Sequence, residues 1–302
     1  MVPLKHVVVA TDFSAGGTRA VGRAGRLPLD PNSRVTLVHV LPEAKRNEKK
    51  ALSEARELLD ESAASMAGNA GGATIHCVVA IGNPFEEILK IAQADPPAEL
   101  VVLGKHGQRR FSDLLIGTTA ERVVRYGTCP VLIVQSSPRP PYQRLLAAVE
   151  LPLEQASRPV DLAMRLLGET REELRVVHVR DELIDVALNR AGIPEREVVK
   201  EQQRLRLELT ATLQRWIDNR FQPDEARRWR ISIKEGDPRL RVLSLAERHK
   251  PDLICLGTHA RTGVSRIFLG SVAEAVLRGA PCDVLIVPPN SSLDSNRKKE
   301  PQ

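Results

Sequence analysis

The chain repeats itself. Gly104-Lys105-His106-Gly107 returns as Gly257-Thr258-His259-Ala260, and Gly117-Thr118 returns as Gly270-Ser271. Ala120-Glu121 matches Ala273-Glu274, Arg125 matches Arg278, Cys129 matches Cys282, and the run VLIV stands at 131–134 and again at 284–287. Upstream, Gly82-Asn83-Pro84 matches Gly236-Asp237-Pro238, Val38-His39-Val40 matches Val177-His178-Val179, and Asp12 aligns with Glu150. Similarity that keeps its order through both halves means one structural plan used twice. With 302 residues to divide, each copy has the size of an ordinary domain and enough chain to bury its own core. The spacing between matched residues widens after the second apolar run, so the second copy carries an insertion there.

Each copy alternates two kinds of segment. Short apolar runs occupy 6–11, 34–40, 74–80, 99–103 and 131–135 in the first, and 145–149, 174–179, 229–233, 252–256 and 284–287 in the second. Stretches with helical spacing lie between them, such as Glu54 to Met66 and Phe85 to Ala94. Strands that are apolar on both faces and alternate with helices predict a parallel sheet covered on both sides, an α/β fold. The insertion extends a charged helical segment, roughly 195–220, whose Leu205, Leu209, Leu213, Trp216 and Ile217 are expected to pack against the sheet.

Two domains are expected, 1–136 and 142–289, joined through the stiff proline-bearing stretch Gln135-Ser136-Ser137-Pro138-Arg139-Pro140-Pro141. The polar residues 290–302 read as a disordered tail. The formal charge is +6, but basic and acidic residues are interleaved, and the dense cluster Arg297-Lys298-Lys299 falls in that tail. With aromatics at 3% of residues, stacking platforms for single strands are lacking, which argues against nucleic acid as a partner. No apolar run has the length of a membrane span, and the opening apolar stretch reads as a first strand rather than a leader, so a cytoplasmic protein is expected. The four cysteines have no C-x-x-C spacing and read as reduced, buried thiols. No histidine is paired at metal-ligand spacing, and no metal is expected.

In an open parallel sheet, ligands bind beyond the carboxyl ends of the strands, where strand order reverses. Here the first strand runs into Asp12 and the fourth into Gly104-Lys105-His106-Gly107, with Gly117-Thr118 opening a helix soon after. Glycines allow close backbone approach to phosphate, and helix-start amides supply donors and a favourable dipole. Thr118 adds a hydroxyl, and Asp12 suits a ribose hydroxyl or an adenine amino group. Lys105 and Arg109, with Arg261 in the second copy, are candidate phosphate cations. A tight turn explains the same glycines without any ligand, and the spacing matches neither a Walker A loop nor the dinucleotide fingerprint.

The spacing Gly, two residues, Gly, nine residues, Gly, then Ser or Thr resembles the ATP-binding signature of universal stress proteins. Gly104, Gly107, Gly117 and Thr118 meet it, and the opening VVVATDFS, the GNP turn and the ending CPVLIV also resemble that family's layout. The resemblance covers nearly all of both halves. It implies two tandem doubly wound, Rossmann-like domains, each with a five-stranded parallel sheet of order 3-2-1-4-5. It also implies ATP or a related adenine nucleotide as ligand, and a role in stress survival. The residues it assigns to the nucleotide are Asp12, Val40, Gly104, Gly107, Arg109, Gly117 and Thr118, with Gly257, Gly270 and Ser271 in the second copy.

The second copy departs from the pattern: Ala260 replaces the second glycine, Glu150 the aspartate, and Leu151-Pro152 stands where Phe13-Ser14 stood. Nucleotide is therefore expected in the first half before the second. By family analogy VLIV lies at the sheet edge, so the two edges are expected to pair within the chain; a homodimer is a further expectation. The sequence offers no paired carboxylates and no Ser-His-Asp set. A nucleotide-dependent regulatory module is thus expected rather than an enzyme, with a scaffold that has lost nucleotide binding as the alternative.

Overall fold

The computed structural model describes residues 2–45, 48–105, 117–137, 141–180, 194–258 and 269–289. The first half runs β1 (His6–Ala10), α1 (Ala15–Ala24), β2 (Arg34–Leu41), α2 (Lys49–Ala67), β3 (Thr74–Ile81), α3 (Pro84–Gln93), β4 (Leu100–Gly104), α4 (Thr118–Tyr126) and β5 (Val131–Val134). The second runs β6 (Arg144–Ala148), α5 (Glu154–Leu166), β7 (Glu173–Arg180), α6 (Glu195–Asp218), α7 (Pro223–Ala226), β8 (Trp229–Glu235), α8 (Pro238–His249), β9 (Leu253–Gly257), α9 (Ser271–Gly279) and β10 (Asp283–Val287). The tail and the linker residues 138–140 lie outside the described residues.

The expected α/β architecture is present in both halves. The strands form one ten-stranded sheet in the order β3-β2-β1-β4-β5-β10-β9-β6-β7-β8. Each half contributes five parallel strands in the order 3-2-1-4-5, counted within that half. Successive side chains on a strand point to opposite faces, and both faces are covered. Val7 and Val9 of β1 join Ala20 of α1 and Leu59 of α2 in one core layer. Val8 joins Ile88 of α3 and Val123 of α4 in the other. This is why the strands read as unbroken apolar runs. Gly82 (φ 143°) and Gly236 (φ 114°) follow β3 and β8 at equivalent turns, where a side chain would be strained.

The halves meet strand to strand. β5 and β10 pair antiparallel, with Leu132 opposite Leu285 at the centre of the register. The carboxyl ends of the two five-stranded sets therefore point to opposite sides of the sheet. Asp283, fully buried at the start of β10, ties the halves together. Its Oδ1 accepts from the amides of Gln135 (2.9 Å) and Ser136 (3.0 Å), and its Oδ2 from Tyr142 Oη–H (2.6 Å) and Arg23 Nε (3.2 Å). Arg23 also lies over the Tyr142 ring, 4.2 Å from its centroid. Burial, first, and the Asp283 carboxylate hold the Tyr142 phenol well above its ordinary pKa. A buried carboxylate is stable in a fold only when its oxygens are satisfied in this way.

The insertion in the second half makes α6 a helix of 24 residues against 19 in α2. Leu213 and Ile217 are buried, Leu209 and Trp216 pack against the core from its margin, and Trp216 Nε1 donates to Ser157 Oγ at 3.2 Å. All four cysteines are free, but only Cys129, Cys255 and Cys282 are buried; Cys77 is half-buried. The expectation of four buried thiols fails there because Cys77 sits on β3, a strand at the sheet's edge. Among the described residues no helix is long and apolar enough to cross a membrane.

Candidate functional site

Strand order reverses between β1 and β4, which pair through Val9 and Val102. Thr11-Asp12 and Gly104 follow two residues later on adjacent strands, so their ends flank one crevice. The β1 end is a tightly bonded turn. Asp12 Oδ1 accepts from Ser14 N (3.1 Å) and Ser14 Oγ (2.5 Å), and Thr11 Oγ1 accepts from Phe13 N (3.1 Å). Ser14 Oγ in turn accepts from Gly17 N (3.2 Å), capping α1. Asp12 is thereby held in one orientation, and a carboxylate has accepting capacity for further donors. Phe13 takes φ 61°, an uncommon conformation for a bulky residue, and stacks on His39 at 4.3 Å between ring centroids.

His39 and His178 do the same job in the two halves. His39 Nδ1 donates to the carbonyl of Thr11 (2.8 Å) and His178 Nδ1 to that of Val149 (3.1 Å). Each pins the chain just past the first strand of its half. Val40, the next residue on β2, pairs in register with Ala80 and packs at the margin of the opposite core layer.

Gly104 is fixed by packing. A Cβ there would fall 2.4 Å from the Gly16 carbonyl oxygen, and one on Gly17 would fall 2.6 Å from Thr11 Oγ1 and 3.0 Å from Asp12 Oδ1. Gly16 and Gly17 let α1 start against both strand ends. They were not among the sequence candidates, although the signal, two consecutive glycines just after Asp12, was there to read.

The loop between β4 and α4 closes on itself where the chain is described: Gly117 N donates to Lys105 O at 2.8 Å. Thr118, exposed, is the first residue of α4. Among the described residues neither α4 nor α9 has a side-chain cap: each begins at a glycine, Gly117 and Gly270, which carries no side-chain acceptor for the first-turn amides. Gly117 (φ −59°, ψ 139°) and Gly270 (φ −57°, ψ 148°) have backbone angles open to any residue. Among the described residues, a Cβ at Gly270 would meet nothing within 4 Å, and their packing does not account for a glycine at that position. Gly107, Arg109, His106, His259, Ala260 and Arg261 lie outside the described residues.

Lys105 departs from its reading as a phosphate cation. The residue is buried, and its Nζ donates to the Arg278 carbonyl at 2.7 Å. That carbonyl belongs to the last turn of α9, where unpaired carbonyls and the helix dipole favour a cation.

The second crevice lies on the opposite side of the sheet, between β6 and β9, and is built more loosely. Leu153 precedes α5 without a side-chain cap bond. Among the described residues a Cβ on Gly257 would meet only Pro159 Cγ at 3.5 Å and Val287 O at 3.8 Å, both ordinary contacts. Among the described residues no group of three or more His, Cys, Asp or Glu is placed to hold a metal ion.

Comparison with known proteins matches the universal stress protein family model twice, over residues 3–135 and 141–288. Universal stress protein E of Salmonella typhi is 27% identical over 222 residues, covering 70% of this chain and 68% of that protein. A universal stress protein of Methanocaldococcus jannaschii is 46% identical over 66 residues, covering 20% of this chain and 39% of its own length. The fold is that of a universal stress protein structure from Archaeoglobus fulgidus, with TM-score 0.65 at 19% identity over 94% of this chain and 98% of that one. With the family's model matched once in each half and its fold present throughout, the chain belongs to the universal stress protein family.

Proposed function

We propose that this chain is an ATP-binding regulatory module, with the nucleotide held in the first-half crevice. The observation that carries the reading is the set of features converging at the β1/β4 switch point. Asp12 is fixed by Ser14, Gly104 abuts the start of α1, and the uncapped start of α4 is tied back to Lys105 O through Gly117 N. These residues fit an adenine nucleotide. The α4 amides and Thr118 suit phosphate oxygens, Gly117 gives them room, and Asp12 suits a ribose hydroxyl or an adenine amino group. Val40 borders the base side, and Gly107 and Arg109 complete the signature in sequence. A bound nucleotide would supply a charged phosphate chain whose presence or loss biases the loop it touches. We take residues 1–136 and 142–289 as the two domains, working in the cytoplasm as an internally paired unit without committed turnover.

A second reading is favoured for the second half alone. Glu150, Ala260 and the loosely packed Gly257 support a scaffold there that has lost nucleotide binding, although Gly270 and Ser271 keep the signature's end. Calorimetric titration of ATP into wild type and Gly117→Val tests both. One equivalent bound by wild type and lost in the variant is the expected result. Two equivalents would return the second half to the nucleotide reading. No heat, together with no nucleotide released on denaturation, would leave the scaffold for both.

A further inference from the structure

We propose that the second half holds the root of the first half's glycine loop, with Lys105 as a positioning residue acting across the domain boundary. The proposal rests on the nucleotide reading only for its consequence for affinity; the clamp itself is a separate claim.

Three contacts on one residue carry it. Lys105 N donates to Val134 O (3.0 Å), which fixes the residue against β5, the strand that pairs with the other half. Lys105 O accepts from Gly117 N (2.8 Å), which closes the loop just ahead of α4. Lys105 Nζ donates to Arg278 O (2.7 Å) in the last turn of α9. The backbone of Lys105 therefore sets where α4 begins, while its side chain is anchored in the other domain. An ammonium at the carbonyl end of a helix makes a charge-assisted bond at the negative end of the dipole, in a site that excludes most water. The anchoring helix is itself significant. The N-terminus of α9 is Ser271, the second half's own candidate position, and nine residues span about 14 Å at 1.5 Å each. A displacement of α9 at one end is thus delivered to the first half's loop at the other.

The arrangement is one-sided. The residue matching Lys105 is Thr258, whose side chain is too short to make the reciprocal reach. Thr258 keeps the backbone bond to the last strand, from its N to Val287 O at 3.0 Å. The first half's loop is supported by the second half through this contact, and the second half's loop has no equivalent lysine. Because coupling between binding events is reciprocal, occupancy of the first crevice tightens the seat of Lys105 on α9.

Hydrogen exchange of the Gly117 amide in the full chain, read beside ATP titration, tests the clamp. Lys105→Met removes the ammonium and keeps the stem; Lys105→Gln serves if Lys105→Met does not fold, and Lys105→Arg restores a cation. Arg165→Met is the control. Arg165 also joins the halves, through Glu99 Oε2 (2.7 Å) and the Pro3 carbonyl (3.0 Å), but at the opposite side of the sheet. Faster Gly117 exchange in Lys105→Met, by about tenfold or more for loss of one charge-assisted bond, is expected. ATP affinity should fall to a similar degree, Lys105→Arg should recover much of both, and Arg165→Met should move neither. Unchanged Gly117 exchange in Lys105→Met overturns the proposal. So does equal acceleration by Arg165→Met, which would mean only a general loosening of the halves. If Gly117 responds as expected while wild type takes up no ATP, the nucleotide reading fails and the clamp stands.

Discussion

The two crevices descend from one pattern but are held open by different forces. In the first, Ser14 bonds Asp12 and caps α1, and Gly16, Gly17 and Gly104 bring helix and strand ends into backbone contact. In the second, residues 150–159 contain no glycine, α5 starts without a side-chain cap, and among the described residues Gly257 has room for a methyl group. The same motif glycine is thus a packing requirement in one half and not in the other. A motif letter reports a position; only the neighbours report why that residue is there.

That contrast can be attacked directly. The largest effect is expected from Asp283, whose carboxylate serves the lock between the halves, while the matching position of the first half is Pro130. Asp283→Ala leaves Arg23 buried beside an unpaired Tyr142 hydroxyl and should cost about 3–5 kcal/mol, read from denaturant midpoints. A loss below about 1 kcal/mol, the size of a solvent-exposed pair, would show that the lock contributes little. Next come the paired variants Gly104→Ala and Gly257→Ala. The first forces a methyl onto backbone and should cost about 1–3 kcal/mol by overpacking. The second should move stability by less than about 1 kcal/mol, towards stabilisation through lost unfolded-state freedom. Equal losses would erase the distinction drawn above.

The smallest effect is expected from pH. β1 begins with His6, whose Nδ1 meets the Pro96 carbonyl (2.9 Å) and whose Nε2 meets Thr36 Oγ1 (3.0 Å); β6 begins with exposed Arg144. Burial, against the opposing pull of the Pro96 carbonyl, lowers the His6 pKa below its ordinary value. The unfolded chain takes up this proton near pH 6.5 and the folded chain only at lower pH. Stability contributed by neutral His6 is therefore full above pH 6.5 and is lost as pH falls from there through the folded value. His6→Gln should flatten the fall in midpoint between pH 7.5 and pH 5, leaving the share from His249, whose pKa burial also lowers. An unchanged slope would remove His6 as its source.

Most of the fold was legible because its signal is local. Apolar runs bounded by turn residues located the strands to within a residue or two, and repetition located them twice. The insertion was legible as a charged segment with apolar Leu213 and Ile217 at helical spacing, and α6 is that helix. The switch point was legible too, since Asp12 and Gly104 end strands that doubly wound topology makes neighbours. What escaped is what depends on contacts across the chain. Nothing local in Asp283 says that it will meet Arg23 and Tyr142 from far away in sequence, and nothing in Lys105 says that its ammonium turns towards Arg278. Nor does the sequence show the left-handed backbone of Phe13, which follows from the turn that Thr11, Asp12 and Ser14 build around it.

The antiparallel seam between β5 and β10 carries an evolutionary consequence. Two separate chains meeting there about a two-fold axis would be bound to use the same patch twice, each residue facing the counterpart of its own partner. A substitution on one side would appear on both, and the contact would dissolve on dilution. Joining the copies through a short linker raises each edge's effective concentration for the other into the millimolar range and frees the two sides to diverge. A single Asp283 facing Arg23, and a single Lys105 seated on α9, are specialisations open only to an assembly whose symmetry has been broken by fusion.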